Sequence, residues 1–180
     1  MRLRKLRTEL NGRLRVHWRA FPLRPVPDPT VTFQGTYREA AWQRCRELAT
    51  DAGVTVRMWE RGDFPASSMP ALEGAKCVAL QGDAVFEALH LKLYAAFFGE
   101  GVNIGSPEEV VTVVKSVPGV DVARFLADYD AGIGRRAVLD DYRAAVDEHG
   151  VRAIPTVVLA NGRRVVGAVS LPEYRRLIAA

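Results

Sequence analysis

The stretch from Gly150 to Ala168 limits the possible folds more than any other part of the chain. It holds two strand signals around one tight turn. Thr156, Val157, Val158 and Leu159 form a short, mostly β-branched run, which reads as a strand over 156–160. Asn161-Gly162 is the residue pair favoured by a type I′ hairpin turn, where both central residues take positive φ. Arg164, Val165 and Val166 then return antiparallel. Pro155 has no N–H to give to a ladder, so it belongs at the first residue of the strand. It also holds Ile154 extended.

The flanking chain is mostly helical. Leu3, Leu6 and Leu10 give Met1–Leu10 one apolar face, and Asn11-Gly12 ends that helix. No start signal precedes it, so Met1 is expected to fall inside a helix already running. Arg13–Phe21 alternates strictly, with Leu14, Val16 and Trp18 on one side and Arg13, Arg15, His17 and Arg19 on the other. That is the pattern of a half-exposed outer strand. A proline-rich loop follows. Thr36 with Glu39 is a capping box; it opens a helix expected to turn Tyr37, Ala41, Cys45, Leu48 and Ala52 inward and to stop at Gly53. Val54–Met58 is a short apolar connector. A small-residue helix is expected next, with Ala71, Ala75, Val78 and Ala79 inward and Cys77 off that face. Asp83 is expected to cap a helix burying Phe86, Leu89, Leu93 and Phe97. Ser106-Pro107-Glu108-Glu109 places a capping serine, a proline at the first helical position and a glutamate at the third, the clearest helix start in the chain. Val110, Val111 and Val114 lie inward there. Asp121 caps a short helix with Val122, Phe125, Leu126 and Tyr129. A further helix runs to Gly150 with Val138, Tyr142, Ala145, Val146 and His149 on one side. Ser170 and Glu173 form a capping box for a last helix burying Tyr174, Leu177 and Ile178.

Charge and cysteine usage exclude several classes. The hydrophobic fraction of 48% and charged fraction of 26% are those of a globular protein. No stretch approaches the ~20 apolar residues of a membrane span, so no membrane partner is expected. Through Arg24 there are eight basic residues against Glu9 alone, net +7; the remainder has 17 basic against 20 acidic, net −3. These arginines interleave with apolar residues at helix and strand spacing, so they read as the wet face of packed elements. No nucleic-acid partner is expected, because no recognition motif accompanies them. Cys45 and Cys77 form neither Cys-X-X-Cys nor a metal cluster, and His17, His90 and His149 show no ligand spacing. No metal, no cofactor and no catalytic residue is assigned. His149 reads as a helix C-terminal residue favoured by the dipole, and Cys45 as a small core hydrophobe. Nothing one turn away would activate Cys77.

The order of these pieces, with Ile154-Pro155-Thr156, resembles the DsbA family: thioredoxin-fold proteins with a helical domain inserted between two halves. The likeness is greatest to its cytoplasmic FrnE-like branch and to the related glutathione-dependent hydroxychromene-carboxylate isomerases. It is carried by His17-Trp18-Arg19-Ala20-Phe21-Pro22-Leu23, by Pro65–Ala71, by Phe97–Ile104 and by Gly150–Ala168. The resemblance implies an α/β, thioredoxin-like fold with an all-helical insertion. It implies a thioredoxin-like domain over 1–35 and 136–180 and an insertion over 36–135. It further implies that Pro155 is cis and that Ile154, Pro155 and Thr156 face the substrate. The residues alone leave an ordinary trans proline opening an ordinary hairpin as the alternative. The family begins with a strand leading into Cys-X-X-Cys at a helix start; here that first strand and both cysteines are missing, and the pair is expected upstream of Met1. In the family the missing strand lies between the 13–21 and 156–160 strands. Its loss strands about five or more buried polar groups at ~1–3 kcal/mol each against a total stability of ~5–15 kcal/mol, unless those two strands pair directly.

Three functions follow as expectations. The first is a thiol–disulfide oxidoreductase acting on dithiol or disulfide proteins, with its redox pair outside the 180 residues. The second is a glutathione-using isomerase or transferase of the same fold. The third is a non-catalytic binding module that keeps the proline loop. The scarcity of cysteine suits the cytoplasm. Oligomeric state is not legible.

Overall fold

A computed structural model of the chain describes residues 2–50 and 54–179. Its elements run α1 (Arg2–Glu9), α2 (Tyr37–Thr50), α3 (Met69–Ala79), α4 (Asp83–Tyr94), α5 (Pro107–Lys115), α6 (Val122–Asp130), α7 (Ile133–Arg143), β1 (Thr156–Val158), β2 (Arg164–Val166) and α8 (Leu171–Ala179). α4 and α7 each run on into a wider π-helical turn, at Ala95–Glu100 and Ala144–Glu148. The described elements are mostly helical, with one two-stranded antiparallel sheet. Among the described residues no helix is long and apolar enough to cross a membrane. The expectations for Met1, for Ala52 and for a stop at Gly53, and the inward placing of Leu48, lie outside what is described.

The chain divides into two compact units: Met1–Phe21 with Asp140–Ala180, and Pro22–Leu139. The boundary falls within α7.

In the helical unit, Pro22–Leu139, the main core joins Cys77, Val78, Leu89, Ala96, Val110, Val114 and Phe125. Two glycines set how closely its helices approach. A Cβ on Gly74 would lie 3.0 Å from Val110 Cγ1. A Cβ on Gly134 would run into the Glu73 carbonyl and stand 2.8 Å from Cys77 Sγ. Ser106 caps α5 by accepting from the Glu109 N–H at 3.2 Å, and Asp121 caps α6 by accepting from the Arg124 N–H at 3.0 Å. A second cluster is aromatic: Phe33, Trp42, Trp59 and Phe64, with Phe97 and Phe98 against them. Buried indoles need a partner for N–H; Trp42 Nε1 donates to the Arg57 carbonyl at 2.7 Å and Trp59 Nε1 to that of Asp63 at 2.6 Å.

Several expectations for this unit are corrected. Trp42, not Cys45, is the buried anchor of α2; Cys45 and Tyr37 are exposed. Trp42 buries far more apolar area than a cysteine and so sets the helix's rotation. Cys77 lies wholly within the core rather than off it, and Ala79 is exposed. The inward face of α3 is Met69, Pro70, Ala71, Gly74, Cys77 and Val78. Thr36 Oγ1 accepts from the Arg38 N–H, so the box with Glu39 is not closed. Asp83 is the first helical residue of α4; Gly82 stands at the cap.

In the hairpin unit, α1 and α8 bury Leu6, Tyr174 and Leu177 against Val165 of β2. Asn11 and Gly12, both at positive φ, end α1. Ser170 Oγ accepts from the Glu173 N–H at 3.3 Å, while the Glu173 carboxylate turns to Arg176. β1 and β2 pair antiparallel in the register Thr156↔Val166, Val157↔Val165, Val158↔Arg164. The turn differs from expectation. Asn161 does not take positive φ; Gly162 alone does, at +80°. The Gly162 N–H donates to the Leu159 carbonyl at 2.9 Å and Leu159 N–H to the Arg163 carbonyl at 2.9 Å. That is a turn followed by a left-handed bulge glycine, the three-residue hairpin loop.

The strand expected over Arg13–Phe21 is also corrected. Its side chains alternate as expected, Leu14, Val16 and Trp18 half-buried and Arg13, Arg15, His17 and Arg19 exposed. Yet β1 and β2 are the only paired strands among the described residues. A β-strand exists by its ladder, and alternation without a partner leaves an extended segment. This one is anchored near its end by Asp141. The Ala20 N–H donates to Asp141 Oδ2 at 2.7 Å and Arg19 Nη1 to Oδ1 at 3.0 Å.

Candidate functional site

The π-helical turn after α7 ends at His149, and Gly150 reverses the chain at φ +57°. Arg164, on β2, donates Nη1 to the carbonyls of His149 at 3.0 Å and Gly150 at 2.7 Å. A guanidinium there satisfies orphan carbonyls and complements the negative helix end. The fit also explains the glycine: a Cβ on Gly150 would stand 2.6 Å from that Nη1. Arg164 therefore fixes where the loop leaves the helix relative to the hairpin.

Val151 is buried, and Arg152, Ala153, Ile154 and Pro155 are exposed. Thr156 Oγ1 donates to the Ala153 carbonyl at 2.6 Å and closes the loop on itself. The Ile154–Pro155 bond is cis. The Pro155 carbonyl accepts from the Gly167 N–H at 2.8 Å and so joins the loop to the end of β2.

The ladder's alternation then decides what the loop offers. In an antiparallel pair, hydrogen-bonded and non-hydrogen-bonded positions alternate. Pro155 bonds Gly167 and Leu159 bonds Arg163, so Val157 with Val165 is the bonded pair between them. Thr156 and Val158 therefore turn their N–H and C=O groups away from β2. No other strand pairs with that edge among the described residues. Beside it Ile154 is 43% and Val166 61% exposed. An open groove of about 360 Å³ runs along Val151, Arg152, Ala153, Thr156, Arg164 and Val166. A second hollow, of about 500 Å³, lies by Asp147, Glu148, His149 and Gly162. The arrangement can receive an extended backbone by strand addition, with apolar side chains beside it.

The structure thus brings Ile154, Pro155 and Thr156 together, the first two exposed and Thr156 half-buried at the start of β1. It places the cysteines elsewhere in sequence and environment. Cys45 is exposed on α2. Cys77 is fully buried on α3, and burial pushes its thiol up to about 11. His149 is exposed at the helix end, where its carbonyl, not its ring, bonds Arg164. Among the described residues no group of acidic, histidine or cysteine side chains could hold a metal ion. Two residues escaped the sequence reading. Asp141 carried a visible signal, an acid between Val138 and Tyr142 on the apolar side of α7. Arg164 carried none, since its partners lie 14 and 15 positions away.

A family model described as a DSBA-like thioredoxin domain matches residues 1–179. No curated protein matches the chain. Among solved structures, the crystal structure of a "putative protein disulfide isomerase from Nitrosomonas europaea" is similar, with a TM-score of 0.77 and 14% identity; the match covers 99% of this chain and 86% of that one. At that identity the likeness speaks for the fold.

Proposed function

Since the chain belongs to the DSBA-like thioredoxin family, we propose that it is the peptide-seating scaffold of a thiol–disulfide oxidoreductase. The observation that carries this reading is the outer edge of β1, where Thr156 and Val158 offer backbone groups beside the exposed Ile154–Pro155 turn. An extended segment of a dithiol or disulfide protein pairs along that edge, and Ile154, Pro155 and Thr156 hold the backbone next to its sulfur.

The chemistry such a seat serves is thiol–disulfide exchange. A low-pKa thiolate attacks one sulfur of the substrate disulfide, a new S–S bond forms as the old one breaks, and the expelled sulfur leaves as a thiolate. A second cysteine then attacks the mixed disulfide and releases the substrate as a dithiol. Cys77 is unsuited to the attack, because burial disfavours its thiolate. Cys45 and Cys77 are too far apart in sequence to form Cys-X-X-Cys. In this proposal the redox pair lies outside the 180 residues. The lack of Cys-X-X-Cys within them also favours a second reading, a binding module that seats the same peptide without exchange.

Calorimetric titration of the chain tests the seat, with a short peptide containing S-methylated cysteine and, separately, with glutathione. The peptide should bind, and Ile154→Asp should weaken it about tenfold, or ~1.4 kcal/mol, with circular dichroism unchanged. Binding of glutathione alone would move the reading to a glutathione-using isomerase or transferase. An unaltered affinity in Ile154→Asp would remove the loop from the account. Insulin reduction by these 180 residues should be nil; activity that survives loss of both Cys45 and Cys77 would contradict the scheme.

A further inference from the structure

The helical unit contains two arginines that are poorly matched to their surroundings. Arg24 and Arg38 both stand about one ring's reach from Phe64, their guanidinium carbons 5.9 and 6.0 Å from its centroid. Arg38 also lies 4.8 Å from the ring of Tyr37, which is 75% exposed. Arg24 is pinned through its backbone: its N–H donates to Ser68 Oγ at 2.9 Å, and its carbonyl accepts from the Ser68 N–H at 3.1 Å. Its Nη2 donates to the Pro65 carbonyl at 2.9 Å, while Nε is buried with no partner. Among the described residues Arg38 Nη1 reaches only the Thr32 carbonyl, at a long 3.3 Å.

No carboxylate among the described residues forms an ion pair with either group. Hydrogen bonds from the Thr30 Oγ1 at 2.6 Å and N–H at 3.0 Å, and after them the charges of Arg24 and Arg38, hold the Asp28 carboxyl below the usual range, but it forms no ion pair with either arginine. Burial, and then the charge of Arg38, hold Arg24 below the usual guanidinium range. Arg38 also sits in the first turn of α2, where a cation opposes the helix dipole and an anion is favoured. The contrast within the same unit is Arg61. It donates to both oxygens of Asp63, at 2.7 and 2.9 Å, and to both of Glu109, each at 2.8 Å. The chain can neutralise an arginine when only structure is at stake.

We propose that Arg24 and Arg38 form an oxyanion-binding site on the helical unit, taking a carboxylate or a phosphate group. Guanidinium forks match both groups. Arg24 is fixed by its backbone, and Arg38 at the helix start closes the other side. Phe64 keeps both cations oriented, and the exposed ring of Tyr37 borders the site. Bound anion replaces the repulsion between the two cations with charge-assisted hydrogen bonds to donors that now lack partners.

The test follows the arginine Nε–Hε signals of the full chain by NMR, in buffer free of phosphate and carboxylate. Inorganic phosphate and benzoate are the two probes, each at ionic strength matched with sodium chloride. The signals of Arg24 and Arg38 should shift saturably with at least one probe while that of Arg61 stays still. Saturation by phosphate alone assigns a phosphate ligand, by benzoate alone a carboxylate. Arg38→Gln should weaken the probe about tenfold or more. It should also melt no lower than the parent in anion-free buffer, because it removes a repulsion. Shifts that never saturate with either probe would overturn the proposal, as would an equal affinity in Arg38→Gln. So would a lower melting temperature for Arg38→Gln without anion, which would make the residue structural.

Discussion

The helical unit and the hairpin unit solve the same problem on different scales. Among the described residues, the first buries eleven residues in one cluster and four aromatics in another. The second has a single cluster of four: Leu6, Val165, Tyr174 and Leu177. The open strand edge, the exposed loop and the grooves that line it belong to the second. The larger buried core and the open strand edge thus belong to different units. An edge that must accept a foreign backbone has to leave polar groups unpaired, and such regions belong at the low-stability end of a molecule. The Arg164 bonds to His149 and Gly150 and the Thr156 bond to Ala153 give local order to the loop without closing that edge.

The largest effect should come from cutting the two cores separately. Phe125→Ala removes a fully buried ring from the helical unit and should cost about 3–5 kcal/mol; Leu6→Ala, also fully buried, about 2–5 kcal/mol. Amide exchange resolves the two. Leu6→Ala should accelerate exchange in β1 and β2 and leave α5 protected, and Phe125→Ala should loosen α3–α6. Uniform acceleration in both variants would break the comparison.

The cysteines sharpen it next. With its thiol pushed up to about 11 from 9.0, Cys77 should carry about a hundredfold less thiolate at pH 8 than an ordinary thiol. A disulfide reagent should label exposed Cys45 in the native protein and reach Cys77 only on unfolding. Rapid native labelling of both would mean that the helical core opens readily.

Asp141→Ala leaves the Ala20 N–H and Arg19 without their partner, at a cost of about 1–3 kcal/mol. The loss should appear as faster exchange around residue 20. Asp141→Asn, which can still accept from the Ala20 N–H, should cost less.

The smallest effect is that of acid. Arg61, and after it Asn103, hold the Asp63 carboxyl below the usual carboxylate range. A depressed folded pKa contributes stability above the unfolded value, near pH 4, and loses it as the pH falls through the folded one. Asp63 is half exposed, so solvent screening keeps the contribution to a few tenths of a kcal/mol. Urea midpoints at pH 7 and pH 3 should converge slightly between the parent and Asp63→Asn; a widening gap would contradict the sign.

Local signals made much of this fold legible. Ser106 and Asp121 place their helix starts because a cap is a contact over three residues. The hairpin register follows from a β-branched run meeting a turn. What failed was decided at longer range. Asn161-Gly162 fits two hairpin loops, and only the observed φ values choose between them. Alternation over Arg13–Phe21 correctly marked which side chains are half-buried, but it says nothing of a pairing partner. In α2, periodicity weighted small apolar residues equally and missed that Trp42 dominates the packing. The turn at Ile154, Pro155 and Thr156 was legible as a cluster because its residues are consecutive. Arg164, Asp141 and the pair Arg24–Arg38 draw their meaning from partners that the sequence does not place nearby.

The most direct test of the central claim, that the outer edge of β1 seats a backbone, is residue-resolved amide exchange over Thr156, Val157 and Val158, with and without the S-methylated peptide. The account predicts that Val157, bonded to Val165, is protected throughout, and that Thr156 and Val158 exchange fast when free and gain protection when the peptide is bound. Saturating peptide that leaves Thr156 and Val158 unchanged would contradict it.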